Sequence, residues 1–203
     1  MSGDHAAMIT PRQVRCGANA GFTLVELMAV VAIVAVLATL AGVAYRRYII
    51  AARSSEATYM VGQIRSAEES YRSETHQYLK VSDSWGSGVP ADSDYFPTSP
   101  SATKTAWPDA TCSAGFGCTH SDRQRWMQLA VRSDGPVGYG YCVTAGLAQS
   151  SAPPGGHPGV GFPTPTEPWY VIEAAGDADG DGRRSYVMGS SFSGDLMVVG
   201  EGL

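Results

Sequence analysis

The N-terminal part of the chain contains an apolar run, residues 21–45, which reads GFTLVELMAVVAIVAVLATLAGVAY. Between Leu27 and Tyr45 it has neither a charged residue nor a proline. A helix of about 19 residues at 1.5 Å per residue reaches roughly 28 Å, close to the thickness of a bilayer's hydrocarbon core. The run therefore predicts a membrane-spanning helix, and Glu26 is the one charge within residues 21–45.

Three kinds of segment share this apolar character. A cleaved secretory signal has a shorter apolar core, about 7 to 15 residues, which ends at small residues. Thr39-Leu40-Ala41 could serve as such a site. An ordinary single-pass anchor needs only the length and suitable flanking charges. The third interpretation joins a polar leader, the Gly21-Phe22 junction and the lone Glu26 into one processing motif.

The segment Gly21-Phe22-Thr23-Leu24-Val25-Glu26-Leu27 resembles the cleavage and methylation motif of type IV prepilins and pseudopilins. The resemblance covers about residues 12–80 and is loose beyond them. It implies that a prepilin peptidase cuts between Gly21 and Phe22 and N-methylates Phe22. It also implies that Glu26 neutralises the N-terminal amine of a neighbouring subunit during assembly.

A carboxylate is costly in hydrocarbon, so we expect Glu26 to have a partner. That cost is about 2.5 kcal/mol or more, so a charged residue inside a membrane helix usually has a counter-charge. A pair of buried charges would also fix the stagger between neighbouring subunits. In the alternative interpretation, Glu26 simply lies at the level of the lipid headgroups.

A leader of residues 1–21 precedes the predicted cleavage point. It carries Asp4, Arg12 and Arg15, a small basic excess that should keep this end cytoplasmic and send the C-terminal part across the membrane. Met8 is an alternative start to Met1. Cys16 would be lost with the leader.

The helix is predicted to continue past the membrane span. There is no proline from residue 46 to residue 78, and apolar side chains recur at the spacing of one helical face. We therefore predict a transmembrane and assembly segment over residues 22–45 and an amphipathic segment over residues 46–80. The predicted face consists of Ala57, Met60, Val61, Ile64, Ala67 and Tyr71.

Residues 81–203 are predicted to form a globular head. Residues 82–123 are rich in Ser, Thr, Pro, Asp and Gly and indicate a long irregular connection. Strand-like runs follow at residues 125–132, 138–145, 169–174, 185–188 and 196–199. The expected fold class is α+β, with the long N-terminal helix packed on an antiparallel sheet as in type IV pilins. Residues 146–168 are predicted to be an exposed loop.

Three cysteines remain after the predicted cleavage. Cys112 and Cys118 enclose a short glycine-containing loop, and an oxidising compartment would let them form a disulfide. Cys142 could instead pair with either of them, because connectivity cannot be deduced from sequence alone. Zinc held by Cys112, Cys118 and His120 is a further alternative, although it lacks a fourth ligand nearby.

The alternating aspartates Asp177, Asp179 and Asp181, followed by Gly182, resemble the first half of an EF-hand-type calcium loop. The bidentate glutamate that completes such a loop is missing, because Met188 stands at that position. Asp195 or backbone carbonyls could complete the shell. No cofactor is required by the sequence, and this loop suggests Ca²⁺. The alternative is a solvated acidic turn.

The predicted function is a structural subunit of a type IV pilus or pilus-like extracellular filament. Motifs of P-loop, zinc-protease and serine-hydrolase enzymes are absent, so no enzyme is predicted. A formal net charge of -5 argues against a nucleic-acid binder. The resemblance implies four partners: further copies of the chain, a prepilin peptidase, an assembly ATPase and an inner-membrane platform protein.

The predicted location is the inner membrane before assembly, with the head in the periplasm, and the extracellular filament afterwards. One alternative is a minor pilin or a type II secretion pseudopilin. Another, from a different class, is a single-pass anchored module that binds a ligand in a calcium-dependent manner.

Overall fold

The computed structural model describes residues 21–83, 85, 88–150, 157 and 160–200. The predicted leader, with both candidate start methionines and Cys16, lies outside the described residues except for Gly21. The chain divides into two compact units, residues 1–42 and 43–203. We call their described parts the N-terminal unit and the head.

One long helix, α1, runs over Leu24–Thr75. Every side chain from residue 21 to residue 48 is exposed. Among the described residues, α1 is the only helix that is long and apolar enough to cross a membrane. The predicted long helix with an apolar first half is therefore confirmed.

The second half of α1 is part of the head and packs one face into its core. Its buried positions recur every three or four residues, as expected for one side of a helix, and they are Ser54, Ala57, Met60, Val61, Ile64 and Glu68. The helix ends at Thr75, earlier than the predicted residue 80. His76 adopts a left-handed conformation with a φ of 62°. Its N–H donates to the carbonyl of Arg72 over 2.8 Å, which closes the last turn.

Four strands form one antiparallel sheet in the order β1-β2-β3-β4, so each strand pairs with its neighbour in sequence. They are β1 (Gly140–Gly146), β2 (Trp169–Gly176), β3 (Ser185–Ser190) and β4 (Ser193–Val199). The α+β fold class, with the helix on an antiparallel sheet, is confirmed. Four of the five predicted strands correspond to these elements.

The predicted strand at residues 125–132 is wrong. This region begins with the short helix α3, Arg123–Gln128, which follows a four-residue helix α2, Phe116–Thr119. Trp126 and Leu129 are both buried in the helix-facing core. Their separation of three residues puts them on one side of a helical turn, whereas in a strand they would point to opposite faces. The mixed apolar and polar residues of this run are compatible with the 3.6-residue period of a helix and with the two-residue period of a strand.

The two faces of the sheet contribute to two separate clusters of buried residues. Tyr141, Val143 and Ile172 belong to the cluster that includes the buried face of α1. Cys142 and Val171 belong to the second cluster, together with Trp85 and Tyr95 from the connection that follows α1. The alternation along β1 and β2 is the two-residue period of a strand that is covered on both faces.

Candidate processing and assembly site

Glu26 and Thr23 form a reciprocal cap at the start of α1. The backbone N–H of Thr23 donates to Oε2 of Glu26 over 3.2 Å, and the N–H of Glu26 donates to Oγ1 of Thr23 over 3.2 Å. The Thr23 hydroxyl also donates to Oε2 of Glu26 over 3.1 Å. This is the capping-box arrangement, which satisfies two N–H groups that have no partner within the helix. In the single chain, therefore, the Glu26 carboxylate is used locally.

The predicted cleavage junction lies directly before this cap. Phe22 is 82% exposed. A Cβ added at Gly21 would meet no atom within 4 Å among the described residues. No described residue therefore obstructs access to the peptide bond between Gly21 and Phe22.

The helical residues that follow the cap are apolar and exposed on every side. Leu24 is 76% exposed, Leu37 59% and Leu40 64%. Nothing in the described N-terminal unit covers these side chains. Because water-exposed apolar area costs about 25 cal/mol per Å² relative to a buried state, this surface needs a lipid or protein environment.

The sulfur atoms of Cys112 and Cys118 are joined in a disulfide, with 5.5 Å between the two Cα atoms. This is the first of the pairings that the sequence left open. Cys142 takes no part in it and is a buried free cysteine, so its inclusion among the disulfide candidates was wrong. It lies in β1 within the second core cluster. Burial raises the pKa of the Cys142 thiol well above its ordinary value, since the thiolate would lose its hydration.

The zinc alternative is also wrong, because both sulfur ligands are used by the disulfide. His120 is engaged as well: its Nε2 lies 2.9 Å from the carbonyl oxygen of Ser93, and its Nδ1 accepts the N–H of Asp122 over 3.1 Å.

Carboxylates converge in the loop between β2 and β3. Asp177, Asp179 and Asp181 each offer one oxygen within 4.8 Å of the others. Ca²⁺ binds oxygen ligands at 2.3–2.6 Å, so this spacing is compatible with a shared ion. The same side chains also serve the turn itself, because Asp177 accepts the N–H groups of Gly180 and Gly182 over 2.7 and 3.1 Å. The calcium site therefore stays a prediction.

Two backbone oxygens of this loop already have a donor. The Arg53 guanidinium donates to the carbonyl of Ala178 over 2.7 Å and to that of Asp177 over 3.4 Å. The positive charge of this guanidinium would oppose the binding of a cation at the same two carbonyls.

Sequence reasoning missed three polar residues that the structure makes important. Thr23 was identifiable, because Thr-x-x-Glu before an apolar run is the sequence signature of a capping box. Glu68 and Glu173 are fully buried. Glu173 accepts a hydrogen bond of 2.5 Å from the hydroxyl of Tyr95, and its second oxygen lies 3.3 Å from Nε2 of His157. No sequence signal marks them, since charged residues are seldom fully buried.

Comparison with known proteins agrees with the geometry at the start of α1. The family model for the prokaryotic N-terminal methylation motif matches residues 17–42. No curated protein and no solved structure matches the chain. The matched range contains Gly21, Phe22 and Glu26 and most of the exposed apolar helix. The chain thus carries the type IV prepilin signature at its N-terminus.

Proposed function

We propose that the chain is a structural subunit of a type IV pilus or pilus-like extracellular filament. The observation that carries this proposal is the exposed apolar helix that begins within the N-terminal methylation motif. Chains with this motif are precursors of pilin-like structural subunits rather than enzymes. The proposed filament role goes further, because it states where the helix lies after processing.

The exposed apolar side chains favour two successive environments. A helix that is hydrophobic all round is stable in a bilayer or in the centre of a bundle, and unstable in water. Before assembly, the inner membrane would surround the N-terminal unit, with the head in the periplasm. After assembly, the same surface would pack against the helices of other copies.

Processing would precede the move from membrane to filament. A prepilin peptidase would cut after Gly21 and methylate the new N-terminal amine of Phe22. The exposure of Phe22 and the open space beside Gly21 support access of an enzyme to this bond. An assembly ATPase and an inner-membrane platform protein would then lift the subunit into the filament.

Glu26 would have a different partner in each state. In the single chain its carboxylate caps α1 through Thr23. In the filament we expect it to pair with the methylated amine of Phe22 from a neighbouring copy, since two buried opposite charges are less costly together than apart. The same residue would then help α1 to begin at Leu24 and would set the stagger between copies.

Fractionation of cells with and without the prepilin peptidase tests the proposal. We expect the chain in sheared surface filaments when the peptidase is present, and only in membranes when it is deleted. A chain confined to membranes in both strains would contradict the filament role and favour the anchored binding module. A chain that is processed but scarce in the sheared fraction would favour a minor pilin or a pseudopilin.

A further inference from the structure

The head contains a narrow cleft, with a volume of about 290 Å³, on the side of α3. One wall is formed by Trp107–Asp109, which follows the long connection after α1, and the other by the segment from Met127 to Asp134. Ala130, two residues after α3, adopts a left-handed conformation with a φ of 59°, and residues on both sides of it line the cleft. We call this site the aromatic cleft. Its volume lies near the lower end of the range for ligand pockets, about 300–1,000 Å³, so it suits one small unit.

Three aromatic rings line the aromatic cleft, those of Phe96, Trp107 and Trp126. The rings of Phe96 and Trp126 stack with 5.4 Å between their centroids, and both residues are buried. The ring of Trp107 stands at 89° to that of Trp126, at a distance of 5.5 Å. Trp107 is only half-buried, so it is the ring that a ligand can reach. The indole N–H of Trp126 is buried and has no hydrogen-bond partner in the described part of the chain.

Charged groups of both signs stand at the mouth of the cleft. Asp109, Arg132 and Asp134 line it, and all three are exposed. Oδ1 of Asp109 accepts hydrogen bonds from the N–H and the hydroxyl of Thr111, over 2.8 and 2.7 Å. These bonds lower the pKa of Asp109, so its carboxylate is an acceptor at neutral pH. The mouth thus offers both carboxylate acceptors and guanidinium donors next to an aromatic face.

The wall that carries Trp107 is held in place from behind. The guanidinium of Arg123 donates to the carbonyl of Asp109 over 2.6 Å. Gly117 lies so close that an added Cβ would be 2.6 Å from Cγ of Pro108. Gly117 belongs to the loop that the Cys112–Cys118 disulfide closes, and this loop therefore supports the wall. A site that is ordered before binding loses less conformational entropy when the ligand arrives.

The combination of groups selects a ligand class. The two aspartates at the mouth disfavour an anionic ligand, and Arg132 offsets part of their charge and so weakens the attraction for a cationic one. A neutral ligand with one apolar face and several hydroxyl groups matches the remaining features, because its face can lie on Trp107 while its hydroxyls donate to carboxylates and accept from a guanidinium. We propose that the aromatic cleft binds a neutral hexose unit of a carbohydrate. This inference goes beyond the proposed filament role and does not depend on it.

The test uses the full chain in micelles of a polyoxyethylene alkyl ether, a detergent without sugar groups. Methyl glycosides of glucose, galactose, mannose, N-acetylglucosamine and N-acetylgalactosamine are each added, and saturation transfer from protein to ligand is measured by NMR. We expect transfer to the ring C–H protons of at least one glycoside, with a Kd of about 1 mM. Tetramethylammonium is added as the comparison for a cationic ligand.

Two variants connect binding to the cleft. Trp107→Ala removes the reachable ring and should abolish transfer. Asp134→Ala changes an exposed side chain, should leave the fold intact as judged by near-UV circular dichroism, and should raise Kd about tenfold. Tyr59→Ala and Asp195→Ala remove an exposed ring and an exposed carboxylate outside the cleft, and both should leave Kd unchanged.

Three results would overturn the proposal. The first is no transfer to any of the five glycosides at about 50 mM, far above the expected Kd. The second is a Kd that is unchanged in both Trp107→Ala and Asp134→Ala, which would put the sugar elsewhere. The third is binding of tetramethylammonium in place of the sugars, which would make the cleft a cation site.

Discussion

The backbone N–H of Leu79 donates a hydrogen bond of 2.9 Å to Oε2 of Glu68, and thereby ties the segment after α1 back to the helix. Glu68 is fully buried, and its other carboxylate oxygen has no hydrogen-bond partner among the described residues. Burial raises the pKa of Glu68 from 4.5 to about 8, against the smaller opposing effect of the Leu79 hydrogen bond. Glu68 is therefore mainly a neutral acid at pH 7.

This buried acid makes the head's stability depend on pH. The unfolded chain releases the Glu68 proton near pH 4.5, whereas the folded head holds it until about pH 8. The stabilisation is therefore complete below about pH 4.5 and declines as pH rises towards 8, by roughly 1.4 kcal/mol per pH unit. We expect Glu68→Gln, a neutral isostere, to remove this decline. Chemical unfolding of the full chain in detergent, followed by tryptophan fluorescence between pH 5 and 8, measures the difference.

Glu74→Gln is the matched control, because Glu74 lies on the same helix and is exposed. Its free energy of unfolding should follow the wild-type pH profile. Burial also raises the pKa of Glu173 and Asp122. Both groups remain in wild type and in the two variants, so a difference between the pH profiles reports on Glu68 alone. If Glu68→Gln and wild type lost stability in parallel from pH 5 to pH 8, the proposed neutral state of Glu68 would be wrong.

The long helix and the sheet could be predicted because each rests on a strong periodic signal. The uncharged run from Leu27 to Tyr45 and the three-to-four spacing of Ala57, Met60 and Ile64 both predict a helix. Residues 125–132 lacked such a signal, because their short apolar pattern fits a helix turn and a strand equally well. Only the packing of Trp126 and Leu129 into one core separates these alternatives.

The functional residues were likewise predictable from the sequence only in part. The Gly-Phe junction and Glu26 are adjacent in sequence, so their motif was readable without a structure. The aromatic cleft brings together Phe96, Trp107 and Trp126, which lie on three separate segments. Such contacts depend on irregular loops whose conformation follows from tertiary packing rather than from local propensity. The burial of Glu68 was missed for a similar reason.

The local cap and the proposed assembly pair can be separated by two substitutions at one position. Glutamine preserves the capping box but carries no charge, whereas alanine removes both. We expect Glu26→Gln and Glu26→Ala alike to abolish filaments, because both lack the charge that would meet the Phe22 amine. Cleavage should continue in both. The yield of sheared filaments and the electrophoretic mobility of the processed chain measure the two steps.

Thr23→Ala is the complementary control, since it removes the Thr23 hydroxyl from the cap and keeps the charge on Glu26. It should retain filaments. Normal filaments from Glu26→Gln, together with none from Thr23→Ala, would show that Glu26 acts through the cap and not through a charge pair.

The close contact at Gly117 predicts a steric effect on the disulfide loop. In Gly117→Ala, the new Cβ would lie 2.8 Å from the carbonyl oxygen of Pro97 and 2.6 Å from Cγ of Pro108. Because one of these atoms belongs to the backbone, the loop must shift, and overpacking of this kind costs about 1–3 kcal/mol. Thermal unfolding under oxidising conditions should show a midpoint several degrees lower. Gly135→Ala, where an added Cβ meets nothing within 4 Å among the described residues, should leave the midpoint nearly unchanged, and equal midpoints for both variants would contradict the contact.

Calcium at the loop between β2 and β3 is testable through stability. An ion that binds only the folded state at a hundredfold excess over its Kd adds about 2.7 kcal/mol. We therefore expect millimolar Ca²⁺ to raise the thermal midpoint of the head by several degrees relative to a chelator, and Asp177→Asn with Asp179→Asn to remove the increase. Mg²⁺ is the control for a general ionic effect. An unchanged midpoint with and without the chelator would leave the three aspartates as a turn that needs no ion.

Processing after Gly21, followed by polymerisation, is tested by the intact mass and the N-terminal peptide of the chain, measured separately in sheared filaments and in membranes. We predict that the filament fraction contains a chain that begins at N-methylated Phe22 and retains the whole head. An unprocessed chain that is found only in membranes, with no copy in the filament fraction, would contradict the account.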